Sequence, residues 1–202
     1  MNNFPIVPAN KQSLACRKPH HGVGINDAPY FTQLKGRRCP FYRVWAGALM
    51  RCYCEKHQAI NPTYKGCSVV KEWHLFSNFR AWMARHDWEE KELDKDLRVI
   101  GNKIYGPDTC IFIPHKINTL LKLGCINKKS CLPGGVSPNR KRFQAKISRD
   151  GRLTHIGLYT TPGQAHEAYI AAKAAEVRRH AAMPENEYIR EYLLRYADGL
   201  AE

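Results

Sequence analysis

The sequence predicts an α+β chain: an N-terminal helical region with a ββα unit, then a three-stranded antiparallel sheet packed on one helix, and a C-terminal helix. Three observations carry this expectation. Apolar residues recur at helical spacing from Phe41 onward. A strand, turn, strand and helix follow one another between Glu92 and Leu123. A two-residue alternation runs from Arg142 to Ser148 and meets a hairpin signal at Asp150-Gly151.

Residues 1–40 are rich in Pro, Gly and His without a sustained period, which predicts a basic extended arm. Residues 41–126 read as the first domain. Phe41, Trp45, Ala48, Leu49 and Cys52 form a helical stripe, and Gln58–Gly66 reads as a connector. Val69–Val70 suits a short strand or turn. Trp73, Phe76, Phe79, Trp82 and Met83 then form a core series, with a helix near Ser77–Arg85. Glu92–Arg98 and Cys110–Ile113 read as strands around a Gly/Pro turn at Gly101–Asp108. Pro114 opens a helix over His115–Leu123 that stops at Gly124.

Residues 127–133 are expected to be a linker, 134–182 a second domain and 183–202 a C-terminal helix. Arg142–Ser148 places Arg142, Gln144, Lys146 and Ser148 on one face and Phe143, Ala145 and Ile147 on the other, a half-buried strand. Leu153–Tyr159 is the returning strand. Thr161-Pro162-Gly163-Gln164 is a helix start, with a capping Thr, Pro at the first helical position and Gln three residues after the cap. The helix should bury Ala165, Ala168, Tyr169, Ala172 and Ala175. A last helix, Glu185–Asp198, should stop at Gly199.

The 202 residues carry 32 Lys+Arg against 18 Asp+Glu, a formal charge of +14. That excess points to a polyanionic partner, because Lys and Arg release counterions from phosphate. With 44% hydrophobic residues the chain can bury a core, which excludes a disordered tail. No apolar run reaches membrane-span length and Met1–His20 has no signal-type apolar region, so neither membrane insertion nor secretion is expected. A cytoplasmic protein is the matching expectation. The eight Cys are then expected as buried free thiols. Cys39, Cys54, His57 and Cys67 lack the usual zinc-ligand spacing, and Cys125 and Cys131 are too far apart for a zinc knuckle, so structural zinc is not expected.

Arg140, Lys141, Arg142, Lys146, Arg149 and Arg152 crowd one hairpin, and Asp150 is the sole acidic residue between Pro133 and Arg152. A basic sheet face of this kind can enter the DNA major groove, where Gln144 can read base edges. Gly135-Val136, Arg142–Ile147, His155–Thr161 and Ala165–Tyr169, in that order, resemble the Apetala/ethylene-response-factor DNA-binding domain. The resemblance implies that the sheet docks on double-stranded DNA and that Ser137, Asn139, Lys141, Lys146, Ser148 and His155 face it.

Upstream, Leu93–Asp96, Gly101–Cys110 and Ile117-Asn118 resemble the HNH-like homing-type endonucleases of bacteriophages. Gly22–Asp27, Trp45, Arg51–Tyr53, Gly66–Val69, Trp73 and Phe76–Phe79 extend that likeness. It implies one Mg²⁺ or Mn²⁺ held by Asp94 and Asn118, contacting the scissile phosphate. The family's catalytic His position falls on Lys95, a poor base near neutral pH, and its central Asn position falls on Thr109. His115, three residues before Asn118 on the same helix, is a substitute base, and Lys95 could instead clamp phosphate. Asp94 also has a purely local role open to it, accepting backbone amides at a strand end. The leading expectation is therefore a DNA-hydrolysing endonuclease. A nuclease-dead DNA-binding regulator and a protein that binds an acidic partner are its alternatives.

Overall fold

The computed structural model describes residues 4–123 and 131–200, and the chain divides into two compact units, residues 1–115 and 116–202. Mixed α and β elements occur in both, with small sheets throughout and the three-stranded one in the second unit.

In the first unit Pro40, whose ring suits the first helical position, opens α2 (Pro40–Tyr53), which buries Trp45, Ala46, Ala48, Leu49 and Cys52. Helix α4 (Phe76–Met83) adds Phe76, Phe79 and Met83 to the same core. The fully buried Trp45 indole donates Nε1–H to the Trp73 carbonyl at 2.6 Å, so its one polar atom is not stranded. Trp45 and Phe76 ring centroids lie 5.5 Å apart, and Trp73 meets Phe79 edge-on at 5.0 Å.

Residues 4–40 do not form an arm. They hold α1 (Lys11–Ala15) and a hairpin of β1 (Gln33–Leu34) and β2 (Arg37–Arg38), and they bury Ala28, Tyr30 and Cys39 in the aromatic core. The aperiodic stretch is held through its main chain. Arg17 donates to the carbonyls of Asn26, Ala28 and Tyr30 at 2.8, 2.6 and 2.8 Å. Ile25 N–H bonds the His74 carbonyl at 2.8 Å, and Phe76 N–H bonds the Ile25 carbonyl at 3.0 Å. The expected connector before Gly66 likewise contains α3 (Glu55–Ile60) and a 3₁₀ turn, Pro62–Tyr64.

β3 (Ser68–Val69) pairs in parallel with β5 (Ile104–Tyr105), inside the segment read as a Gly/Pro turn. β4 (Lys91–Asp94) pairs antiparallel with β6 (Ile111–Pro114). β4 ends before Arg98 because the Asp94 carboxylate captures the next amides and turns the chain.

α5 (His115–Leu121) begins where Pro114 predicts, but from Lys116 it belongs to the second unit. Its last carbonyls are taken by side chains of that unit: Lys173 Nζ donates to Lys122 O at 3.0 Å, and Tyr196 Oη to Leu121 O at 2.5 Å. Helix ends leave such carbonyls without intrahelical donors. The strand pair and the helix of the expected ββα unit thus belong to different units. Gly124, Cys125 and most of the expected linker lie outside the described residues.

The second unit orders β7 (Val136–Asn139), β8 (Arg142–Arg149) and β9 (Arg152–Tyr159) as an antiparallel sheet. Asp150 and Gly151 take φ of 47° and 78°, as a tight hairpin requires. α6 (Pro162–Ala181) is capped as expected, Thr161 Oγ1 accepting from Gln164 N–H at 3.2 Å. Its buried stripe departs from expectation. Ala165 and Tyr169 meet the sheet, but Ala175 is exposed and Ala168 and Ala172 are half-buried, while Lys173, Glu176 and His180 are inside. The helix outruns the sheet and packs its second half against α7 (Arg190–Asp198), so one straight stripe does not serve both partners. The expected last helix is likewise split by a 3₁₀ turn, Pro184–Ile189, in which Asn186 Nδ2 donates to the His180 carbonyl at 2.9 Å. Gly199 caps α7 in a right-handed conformation.

Gly135 has φ of +78°, and a Cβ there would lie 2.2 Å from the Tyr169 ring. Gly135→Ala is expected to destabilise the second unit by about 2–4 kcal/mol, combining overpacking with left-handed strain. Gly163→Ala, whose Cβ would meet only Thr161 Oγ1 at 3.9 Å, should leave stability unchanged or raised. Urea unfolding of the two variants checks the contrast.

Candidate nucleic-acid interface

Strand pairing decides which side chains share the outer face of the sheet. β7 sets Ser137 opposite Gln144 and Asn139 opposite Arg142. β9 sets Leu158 opposite Gln144, His155 opposite Lys146 and Leu153 opposite Ser148. Val136, Ala145 and Ile147 turn the other way, into a core with Ala165 and Tyr169 of α6. One face therefore carries Ser137, Asn139, Arg142, Gln144, Lys146, Ser148 and His155, and Gln144 Nε2 donates to Ser137 Oγ at 3.1 Å. Arg140 and Lys141 are exposed in the β7–β8 turn. The three strands contain no Asp or Glu.

Two expected members sit elsewhere. Arg149 has the parity of Ile147, and its Nε lies 3.5 Å from Oε2 of Glu176 on α6. Arg152, its register partner, shares that parity at the hairpin tip. Arg149 is thus an internal ion-pair partner of the helix rather than part of the outer face. Conversely, sequence reasoning missed Leu153 and Leu158, which are 69% and 45% exposed on the outer face. A bulge brings Leu158 there. The register shifts between Ala145 and Lys146, so Ile156 is unpaired and the alternation of β9 changes phase.

Glu176 is buried at 3% exposure and is enclosed by cations. Arg179 reaches both its oxygens, Nη2 to Oε1 at 2.5 Å and Nε to Oε2 at 3.1 Å, and the same Nη2 bonds Asp150 at 3.0 and 3.1 Å. His180 Nε2 stands 3.5 Å from Oε1. Burial, then the Arg179 guanidinium, hold His180 below its usual pKa. Asp150, Glu176 and His180 are the one grouping of three His, Cys, Asp or Glu ligand atoms close enough for a metal among the described residues. The guanidinium already spans both carboxylates, so the cluster is an ion-pair network.

In the first unit Asp94 Oδ1 accepts the amides of Asp96 and Leu97 at 2.9 and 2.7 Å. Burial, first, raises its pKa. Lys95 is 5% exposed, and its Nζ donates to Asp96 Oδ1 at 2.5 Å and to the Asn102 carbonyl at 2.8 Å. Lys95 Nζ is thus turned inward, toward a carboxylate and a carbonyl. Thr109 Oγ1 donates to the Ile104 carbonyl at 2.7 Å and closes the turn. His115 is exposed, with Nδ1 2.8 Å from Glu92 Oε1, and Asn118 belongs to the other unit. Oδ1 of Asp94 thus serves two backbone amides, and the neighbouring carboxylate, Asp96, is paired with Lys95. Burial pushes the Cys52 and Cys110 thiols up to about 12.

No family model, curated protein or solved structure matches the chain. Among the described residues no helix is long and apolar enough to cross a membrane.

Asn can accept the same two amides as Asp94 without burying a charge. Asp94→Asn should hold or raise stability at neutral pH, and Asp94→Ala should lower it by about 1–2 kcal/mol. Because the carboxyl pKa is raised in the folded state, native protein binds more protons than unfolded chain above pH 3.8. The Asp94 contribution to stability therefore falls as pH rises from there through the folded pKa. Asp94→Asn should lack that decline when unfolding is followed between acid and neutral pH.

Proposed function

We propose that this chain is a duplex-DNA-binding protein that contacts DNA through the outer face of β7, β8 and β9 and performs no hydrolysis at Asp94. One observation carries the reading: strand register gathers Arg142, Lys146, His155, Gln144 and Asn139 on a single face with no carboxylate in its strands. An ordinary solvated sheet face mixes both signs of charge. Here Arg142 and Lys146 can reach phosphates, Gln144 and Asn139 have the donors and acceptors that pair with base edges, and the exposed leucines suit thymine methyl groups. The formal charge of +14 adds a sequence-independent attraction.

The surroundings of Asp94 and Lys95 support a reading without hydrolysis. Hydrolysis would need a general base and a hard-oxygen site for the cation. The residue in the expected base position is a buried ammonium, and the carboxylates beside it are engaged by amides and that ammonium. The chain in this reading occupies or regulates DNA.

Fluorescence anisotropy on a labelled duplex tests the binding surface. Arg142→Ala and Lys146→Ala should each weaken binding and make the slope of log affinity against log salt shallower by about 1. Arg149→Ala should lower the melting temperature and leave that slope unchanged, because its partner is Glu176. Equal binding of wild type to heparin and DNA at matched salt would favour an acidic protein as partner. Incubation with supercoiled plasmid and Mg²⁺ or Mn²⁺ should leave the plasmid intact; nicking by wild type that Asp94→Ala abolishes would restore the nuclease reading.

A further inference from the structure

The β1–β2 hairpin has no part in the function proposed above, yet it is a basic, exposed projection of the first unit. Gln33, Lys35, Gly36, Arg37 and Arg38 are all exposed. Arg38 Nε donates to Gln33 Oε1 at 3.3 Å, and Arg37 has a partner of its own.

The hairpin is rigidly based. Thr32 and Cys39, which flank it, are 7% and 4% exposed, and Cys39 N–H bonds the Thr32 carbonyl at 2.9 Å. Thr32 Oγ1 accepts from Asn26 Nδ2 at 2.9 Å, and Pro40 immediately begins α2. The basic tip is thus presented from a buried foundation and loses little freedom on binding.

Its turn chemistry is the telling feature. Lys35 has φ of 47° and Gly36 φ of 76°. In such two-residue turns the first left-handed position favours Asn, Asp or Gly, and a long side chain there is strained. The β8–β9 hairpin obeys the preference with Asp150-Gly151. The β7–β8 turn does not, placing Arg140 at φ of 53°. Lys35 and Arg140 therefore hold strained positions that an uncharged Asn would fill more comfortably, and in both cases the strained residue adds a cation at a hairpin tip.

We infer that the β1–β2 hairpin is a second duplex-DNA contact, carried by the first unit and built on the same device as the β7–β8 turn. A two-stranded ribbon fits the major groove, and the planar guanidinium of Arg pairs with phosphate oxygens. The tip has no exposed aromatic or aliphatic residue with which to enter a lipid surface; Leu34 is half-buried. The choice of DNA as the polyanion rests on the reading of the sheet face.

The test uses the full chain, a labelled duplex, a range of NaCl concentrations and thermal unfolding. Three proteins are compared with wild type: Lys35→Asn, a hairpin variant (Lys35→Asn, Arg38→Gln) and a sheet variant (Arg142→Gln, Lys146→Gln). Lys35→Asn should melt at the same temperature or higher while its salt slope becomes shallower by about 0.9, and the hairpin variant should lose about 1.8 from the slope. Stability and binding moving in opposite directions is a result that misfolding cannot produce. Wild-type affinity and slope in both Lys35→Asn and the hairpin variant would overturn the inference, and the sheet reading would survive if the sheet variant lost binding. Loss of binding in the hairpin variant alone would uphold the hairpin and overturn the sheet reading. Wild type that binds the duplex no better than heparin would overturn both.

Discussion

The buried carboxylate of Glu176 governs the second unit. An ionised group at 3% exposure must be paired where it sits, and its partners come from two elements: Arg179 and His180 from α6 itself, and Arg149 from the end of β8. Arg179 also holds Asp150 at the hairpin tip. The helix is thereby tied to the far end of the sheet, beyond the reach of its Ala165–Tyr169 contact. Side chains alternate along a strand, so drawing Arg149 toward the helix sends Arg142, Gln144, Lys146 and Ser148 to the opposite face. A register slip of one residue would put lysine and arginine into the core and expose Ala145 and Ile147. Apolar burial and the Glu176 network oppose that slip from the two ends of the same strand.

The first unit treats its charges differently. Asp94, Lys95 and Asp96, three consecutive ionisable residues after β4, are consumed locally. One carboxylate turns the chain by taking two amides, and the ammonium folds inward to a carboxylate and a carbonyl. Structural use of this kind occupies Oδ1 of both carboxylates. The outer face of the sheet keeps its cations toward solvent, where a polyanion can reach them.

Local strain and charge are opposed at the hairpin tips. A turn optimised for stability takes Asn or Gly where φ is positive, and Asp150-Gly151 follows that rule at the hairpin whose tip is tied to α6. Lys35 and Arg140 depart from it at tips that remain exposed. Such departures from local preference concentrate where something other than folding sets the residue.

Much of the fold was legible because it depends on short-range periodicity. The stripe Trp45, Ala48, Leu49 and Cys52 placed α2, Pro114 placed the start of α5, Thr161-Pro162-Gly163-Gln164 placed α6, and the alternation of Arg142–Ser148 gave both the strand and its polar face. The candidate interface was legible to the same extent, since Arg142, Gln144 and Lys146 follow from alternation alone. Arg149 was misplaced because charge crowding, unlike parity, does not say which face a residue joins, and its partner Glu176 is distant in sequence. Leu158 was missed because the bulge at Ile156 exists only once β9 pairs with β8. The N-terminal residues read as an arm because their hold on the core runs through carbonyls taken by Arg17, and main-chain bonds leave no apolar period. By itself the sequence determined periods, caps, turns and charge, all set by neighbours along the chain. Only the tertiary structure decided that α5 leaves the β4–β6 pair for the second unit, that Lys95 turns inward and that Arg149 serves the helix, because each depends on a long-range partner that satisfies a buried charge or an orphaned carbonyl.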